Sequence, residues 1–117
     1  MTTGPKAKKF EELFVEFLGD VDLKSVSVNS ATSGLHLALE ALGVGPGDEV
    51  GVPTHTFTAT AEVVRYLGAT PVFIDVNHKT FNITASVFEA ASTAKTKVVI
   101  PVHFAGLSCE MEAIIGL

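Results

Sequence analysis

Residues 29–42, NSATSGLHLALEAL, decide how the fold of this chain is interpreted. The stretch follows a short β-branched run at residues 26–28 and begins with five small or hydroxylated side chains at residues 30–34. Apolar side chains then recur at helical spacing, at Leu35, Ala38, Leu39 and Leu42. The pattern predicts a strand, a tight turn and a helix whose first turn carries no bulky side chain.

The start of this helix has two interpretations. The first amides of a helix lack internal acceptors, and the helix dipole makes that end attractive to an anion. Thr32 and Ser33 add hydroxyl donors at the same place, so a phosphate group could bind there with little further help. The alternative is that Ser30 or Thr32 caps the helix. Judged on this stretch alone, capping is favoured.

Size and composition limit the class of protein. The 117 residues are enough for one domain with a core. A hydrophobic fraction of 47% beside only 18% charged residues fits a sheet that is covered on both faces, or a piece of something larger. The net charge of −5 does not suggest a nucleic-acid or anionic-membrane partner.

The sequence also indicates a compartment. Its single cysteine, Cys109, rules out an internal disulfide framework and fits a reducing environment. Residues 1–10 contain lysines but no apolar core, so they are not a signal peptide. No apolar run approaches the roughly 20 residues that span a bilayer. We therefore expect a cytoplasmic chain with no membrane partner.

Strands and helices alternate along the rest of the chain. Helices are predicted at residues 6–18, 32–42, 57–67 and 84–92, and a further helix begins at 109. Strands are predicted at residues 25–29, 49–53, 71–76 and 98–102. This alternation is typical of βαβ units and a largely parallel sheet. Because no linker or repeat interrupts the pattern, we expect one α/β domain.

Ligands of parallel sheets bind beyond the carboxyl ends of the strands. Four segments follow strands here, at residues 30–34, 53–57, after 76, and 103–106. The topology therefore brings the phosphate candidate near Phe57 and His103. The spacing of Phe57 is more typical of a core residue, but its ring could also support a flat aromatic cofactor beside a phosphate.

Other candidate chemistry is weak. The four histidines show no paired spacing for a metal. Cys109 has no motif of a nucleophile around it. The glycines at residues 43–47 follow a helix rather than a strand, which excludes the context of a dinucleotide loop.

Four longer stretches, taken together, resemble the DegT/DnrJ/StrS family of sugar aminotransferases. They are TTGPKAKKFEELFVEFLG from Thr2, VNSATSGLHLALEALGVGPGDEV from Val28, VPTHTFTATAEVVRYLGATPVFIDV from Val52 and TKVVIPVHFAGLSCEMEAI from Thr96. The resemblance implies an enzyme of fold type I, with a three-layer α/β large domain that has helices on both faces of its sheet. It also implies pyridoxal 5′-phosphate as cofactor, an amino-acid donor such as glutamate, a nucleotide-linked keto-sugar as acceptor, and a homodimer.

The resemblance assigns roles to individual residues. Ala31, Thr32 and Ser33 match the segment that binds the cofactor's phosphate, which reverses the preference for capping alone. Phe57 matches the aromatic residue that stacks on the pyridine ring. Thr2 matches a region that approaches the substrate, and His103 receives no role.

Two catalytic residues of the family have no counterpart here. In the family, the acidic residue that pairs with the pyridine nitrogen and the lysine to which the cofactor is attached both come later in the chain. The seven lysines present match no family lysine: Lys6, Lys8, Lys9, Lys24, Lys79, Lys95 and Lys97. We therefore expect residues 1–117 to be a partial large domain, truncated at both ends, with no catalytic residue and no activity alone. The alternative is a non-catalytic α/β fragment of a truncated or split gene that binds a phosphate or a partner chain.

Overall fold

The computed structural model describes residues 4–20 and 22–117. In this part of the chain, parallel strands alternate with helices. The elements are α1 (Pro5–Leu18), α2 (Ala31–Ala41), β1 (Glu49–Pro53), α3 (Ala59–Tyr66), β2 (Thr70–Ile74), α4 (Ala85–Ala91), β3 (Thr96–Val99) and α5 (Met111–Ile115). A 3₁₀ turn at Phe104–Gly106 lies between β3 and α5.

Three of these strands form a parallel sheet in the order β2-β1-β3. Val52 of the central strand pairs with Phe73 of β2, and Gly51 pairs with Val99 of β3. Since successive parallel strands need a crossover, each neighbour is reached through a helix. The prediction of a largely parallel α/β sheet is confirmed.

Alternation along β1 divides the core between the two faces of the sheet. Val50 and Val52 are fully buried in a cluster that includes Leu39 of α2 and Val63 of α3. Gly51 lies against Phe88 of α4 on the opposite face. Because side chains alternate along a strand, helices cover both faces, as the predicted three-layer arrangement requires.

The face toward α4 is packed tightly around Gly51. A Cβ atom at this position would lie 2.7 Å from Ile74 Cδ1 and 3.3 Å from Val99 Cγ2. Ile74 is 1% exposed, so it has little space into which to move. The absence of a side chain at Gly51 therefore allows Ile74 of β2, Val99 of β3 and Phe88 of α4 to pack together at the centre of the sheet.

The strand predicted at residues 25–29 is wrong. This segment has no strand assignment, and Val26 is 75% exposed. The amide and hydroxyl of Ser27 both donate to Glu11 Oε1 at 2.7 Å. A strand needs a neighbour to pair with, and in the described residues none of β1, β2 and β3 pairs with this segment. Glu11 Oε1 supplies a side-chain acceptor in place of the hydrogen bonds of a neighbouring strand.

The remaining boundaries differ from the predictions by a few residues. The largest shift is in β3, which was predicted at 98–102 and ends at Val99. The amide of Ile100 still donates to Gly51 at 2.9 Å, and Pro101 then has no amide to continue the ladder. The last helix begins at Met111 rather than 109.

Helix α1 extends away from the core. It begins with Pro5 in its first turn and ends at Leu18, and the Gly19 that follows has a left-handed φ of 71°. Within α1 no residue is buried, and Phe17 is 83% exposed. The radius of gyration is 15.7 Å, compared with about 13 Å for a compact chain of this length. Much apolar surface of this chain is therefore not packed.

Candidate functional site

The candidate site lies where the strands end. Parallel strands place the loops that follow them at one edge of the sheet. The turn at residues 54–58 follows β1, the loop at 75–84 follows β2, and the loop at 100–110 follows β3. The first turn of α2 supplies the predicted phosphate-binding residues.

Ser30 caps α2. Its backbone is extended, and its Oγ accepts a hydrogen bond from the Ser33 amide at 3.1 Å. The Ser33 hydroxyl in turn donates to Asn29 Oδ1 at 2.7 Å. Ser30 is therefore the N-cap residue of α2. The hydrogen bonds among Asn29, Ser30 and Ser33, which form the cap network, hold the hydroxyl of Ser33 in place.

Donors for an anion remain at the same helix end. Outside the helices and strands, the backbone hydrogen bonds of the described residues include none donated by the amides of Ala31 or Thr32. The Thr32 hydroxyl does not take part in the cap network, and the first turn has no acidic residue. Two amides and one hydroxyl at the positive end of a helix suit a phosphate group.

Phe57 lies in the turn between β1 and α3 and is 79% exposed. Its carbonyl accepts from the Thr60 amide at 3.0 Å, which fixes the backbone at the start of α3. Its spacing had suggested a core residue, and the structure excludes that interpretation. An exposed ring at this edge is suited to stack on a planar ligand.

Packing between α2 and α3 relates the helix end to this turn. The rings of His36 and Tyr66 meet edge-on, with centroids 6.0 Å apart. Leu39 of α2 is buried in the same cluster as Val63 and Val64 of α3. The first turn of α2 and the turn that carries Phe57 thus precede two helices that pack against each other.

The comparisons with known proteins decide the family. The model of the DegT/DnrJ/EryC1/StrS aminotransferase family matches residues 1–117. The chain belongs to this family.

Individual relatives agree with this assignment. The spore coat polysaccharide biosynthesis protein SpsC of Bacillus subtilis is 48% identical over the whole chain. Spr1654 of Streptococcus pneumoniae, assigned as a sugar aminotransferase and solved in a PLP-form, is 44% identical over 99% of the chain, with a TM-score of 0.90. The aminotransferase from Psychrobacter cryohalolentis is 40% identical over 97% of the chain, also with a TM-score of 0.90.

These relatives are much longer than this chain. It spans 30% of SpsC, 29% of the Spr1654 chain and 28% of the Psychrobacter chain. The structural neighbours are fold type I aminotransferases, so the predicted fold class is confirmed. This part of the family fold contains α2, the sheet and the turn with Phe57.

Thr2, the residue matched to the family's substrate region, lies outside the described residues. Among the lysines, Lys97 is held in a structural role. Its Nζ donates to the Gly43 carbonyl at 2.7 Å and to Asp48 Oδ2 at 3.2 Å. The Gly45 amide, and then Lys97, hold the pKa of Asp48 below its ordinary value. This ion pair braces the turn between α2 and β1.

His103 and Cys109 hold the loop after β3. His103 Nδ1 accepts from the Cys109 amide at 3.0 Å, so the ring proton of a neutral His103 belongs on Nε2. Cys109 Sγ donates to the Val102 carbonyl at 3.3 Å. Burial raises the pKa of the Cys109 thiol, which makes it a poor nucleophile. Both side chains shape the loop.

Sequence reasoning missed a cluster of three rings at this edge, formed by His55, Phe81 and Phe104. Each ring follows a different strand of the sheet. The signal was present, since three aromatic residues occur in the three loops beyond the strand ends. Their contact depends on loop conformations that the pattern does not define.

A groove of about 450 Å³ runs beside β3 and is lined in part by Phe88, Val99 and Leu117. In the described part of the chain, no group of three or more metal-ligating side chains is present. No helix of the described residues is long and apolar enough to cross a membrane.

Proposed function

We propose that this chain forms the part of a pyridoxal-phosphate-dependent sugar aminotransferase that holds the cofactor's phosphate and ring. The observation that supports this most directly is the first turn of α2, where Ala31 and Thr32 present donors beside the capped Ser33. A dianionic phosphate at this end would be stabilised by the helix dipole and by hydrogen bonds to the amides. Structural neighbours that were solved in PLP and PMP forms support pyridoxal phosphate as the ligand.

Each residue of the proposed site has a separate task. The amides of Ala31 and Thr32 and the Thr32 hydroxyl would hold the phosphate. Ser33, fixed by Asn29, would set the direction of the turn. The exposed ring of Phe57 would support the pyridine ring. When bound, the cofactor supplies the electron sink that amino-group transfer requires.

The relatives support a proposal for the wider activity. We propose that the intact enzyme moves an amino group from an amino acid, glutamate in the first instance, to a nucleotide-linked keto-sugar. SpsC is named for spore coat polysaccharide biosynthesis, which supports a sugar acceptor. We further propose a cytoplasmic homodimer, with Thr2 near the substrate.

Residues 1–117 would be part of the large domain of such an enzyme and would not transaminate alone. Attachment of the cofactor needs a lysine at its reactive carbon, and the family lysine has no counterpart here. Lys97 is held by Gly43 and Asp48. The unburied helix α1 also fits a domain whose remaining parts are supplied elsewhere.

A non-catalytic fragment that binds phosphate through α2 is the second candidate. The same donors at Ala31 and Thr32 support it, and it needs no role for Phe57. The two candidates differ in whether the pyridine ring adds affinity beyond that of phosphate.

Substitution of Thr32 by Val tests the site. The variant keeps the shape of the side chain and removes one donor, so the affinity for pyridoxamine 5′-phosphate should fall about tenfold, measured by calorimetric titration. Thr70→Val, at an exposed position of β2, is the matched control and should leave the affinity unchanged. Equal affinities in the Thr32 variant and the wild type would refute the proposed site. Equal affinities of the wild type for inorganic phosphate and for pyridoxamine 5′-phosphate would favour the second candidate.

A further inference from the structure

Three rings meet at the edge of the sheet where the proposed cofactor site lies. The centroid of His55 is 4.7 Å from that of Phe104 and 5.1 Å from that of Phe81, and the two phenylalanines are 5.3 Å apart. The planes of His55 and Phe104 cross at 67°, an edge-to-face arrangement that aromatic rings prefer. This ring cluster joins the loops that follow all three strands.

His55 is the member of the ring cluster that belongs to the turn with Phe57. The turn is tied to the scaffold at both ends. The Thr54 amide donates to the Ile74 carbonyl at 2.9 Å, and the Thr60 amide donates to the Phe57 carbonyl at 3.0 Å. Between these two hydrogen bonds, His55 attaches the turn to the neighbouring loops through its ring contacts.

The loops that carry Phe81 and Phe104 are hydrogen-bonded to each other through Asn82, which is 4% exposed. Its Nδ2 donates to the Leu107 carbonyl at 2.9 Å, and its Oδ1 accepts from the Phe104 amide at 2.9 Å. Phe81 and Phe104 therefore form a seat whose position does not depend on His55.

Backbone strain occurs at this same seat. Among the described residues, the non-glycine residues with positive φ are Phe81, at 57°, and Ala105, at 51°. Left-handed conformations are unfavourable for residues with a Cβ atom, and they persist where the surrounding contacts impose them. Phe81 and Ala105 lie in the two loops whose rings, Phe81 and Phe104, contact His55. The conformations of the loops that carry Phe81 and Phe104 are therefore closely specified.

We propose that His55 is a positioning residue that orders the turn at residues 54–58 and thereby sets the orientation of the Phe57 ring. The role in ordering the turn stands on geometry alone, and the link to a cofactor rests on the proposed function. Because Phe57 is 79% exposed, the direction in which its ring projects depends on the backbone of the turn that carries it. His55, two residues away, connects that backbone to the seat formed by Phe81 and Phe104.

Amide hydrogen exchange of the full chain tests the ordering directly. In His55→Ala, exchange at Thr54, Thr60 and Ala61 should accelerate about tenfold, because the turn loses its two ring contacts. His55→Phe retains a ring and should restore protection. His78→Ala, an exposed histidine in the loop of Phe81, is the matched control and should not change these rates. Unchanged exchange in His55→Ala would overturn the proposal.

Affinity measurements test the link to Phe57. In His55→Ala, the affinity for pyridoxamine 5′-phosphate should fall about fivefold, while the affinity for inorganic phosphate at α2 stays constant. His55→Phe should recover the loss. Equal loss for both ligands would indicate general damage and would overturn the positioning role. Faster exchange without any binding of pyridoxamine 5′-phosphate by the wild type would support the ordering by His55 and refute the proposed function instead.

Discussion

At the scale of single residues, Glu11 shows how one side chain holds a segment without a ladder. The amide and hydroxyl of Ser27 lower the pKa of Glu11, and the backbone bond is the larger cause. The carboxyl pKa of Glu11 is lower in the folded state than in the unfolded state. The contribution of these hydrogen bonds to stability is therefore fully present above the unfolded pKa. It is lost as the pH falls through the folded pKa.

The Ser27 amide shift should therefore titrate with a midpoint below the ordinary glutamate value of about 4.3, as followed by proton–nitrogen NMR. In Glu11→Gln this titration should disappear, because the ionising acceptor is gone. Glu12→Gln is the matched control, since Glu12 is exposed and contacts only Lys9 among the ion pairs of the described residues. A midpoint at or above the ordinary value would contradict the hydrogen-bonded geometry.

Local chemistry is what the sequence predicted best at this scale. The cap at Ser30 depends on Ser33, only three positions further along the chain. The Glu11–Ser27 contact joins residues sixteen apart, and no local pattern contains it. The exposure of Phe57 was also beyond prediction, because spacing does not show which side of a turn faces solvent.

At the scale of elements, the centre of the sheet is defined by Gly51. Its strand alternates between the two core faces, and the face toward α4 has no room for a methyl group beside Ile74 and Val99. Most helices and strands were predicted within a few residues, since each has its own apolar period. The strand at residues 25–29 was not, because a strand forms only where a neighbour pairs with it. The ring cluster required three loops to converge, which periodicity cannot show.

Gly51→Ala should lower the free energy of unfolding by about 1–3 kcal/mol, because the added methyl group overpacks the sheet against α4. Urea denaturation followed by circular dichroism measures this change. Gly45→Ala is the matched control, because a Cβ atom there meets no atom within 4 Å. It should change stability by less than about 0.5 kcal/mol. Equal stability of both variants would show that the packing at Gly51 is looser than described.

At the scale of the whole molecule, family and fold were predictable because the matching motifs run along the entire sequence. The candidate site was predictable in part. The sequence located Ala31, Thr32 and Ser33 at a helix start, and the structure adds that Ser33 is engaged in the cap. The exposed apolar face of α1 and the radius of gyration of 15.7 Å fit a chain that spans 30% of a relative such as SpsC.

The most direct measurement is a map of where pyridoxamine 5′-phosphate contacts the chain, from amide shifts in proton–nitrogen NMR during a titration. We expect the largest shifts at Ala31 and Thr32, from the phosphate, and at Phe57 and Thr58, from the ring. Inorganic phosphate should reproduce only the first set. Shifts centred on the groove beside β3, or no saturable shifts at all, would contradict the assignment of a cofactor site to this part of the fold.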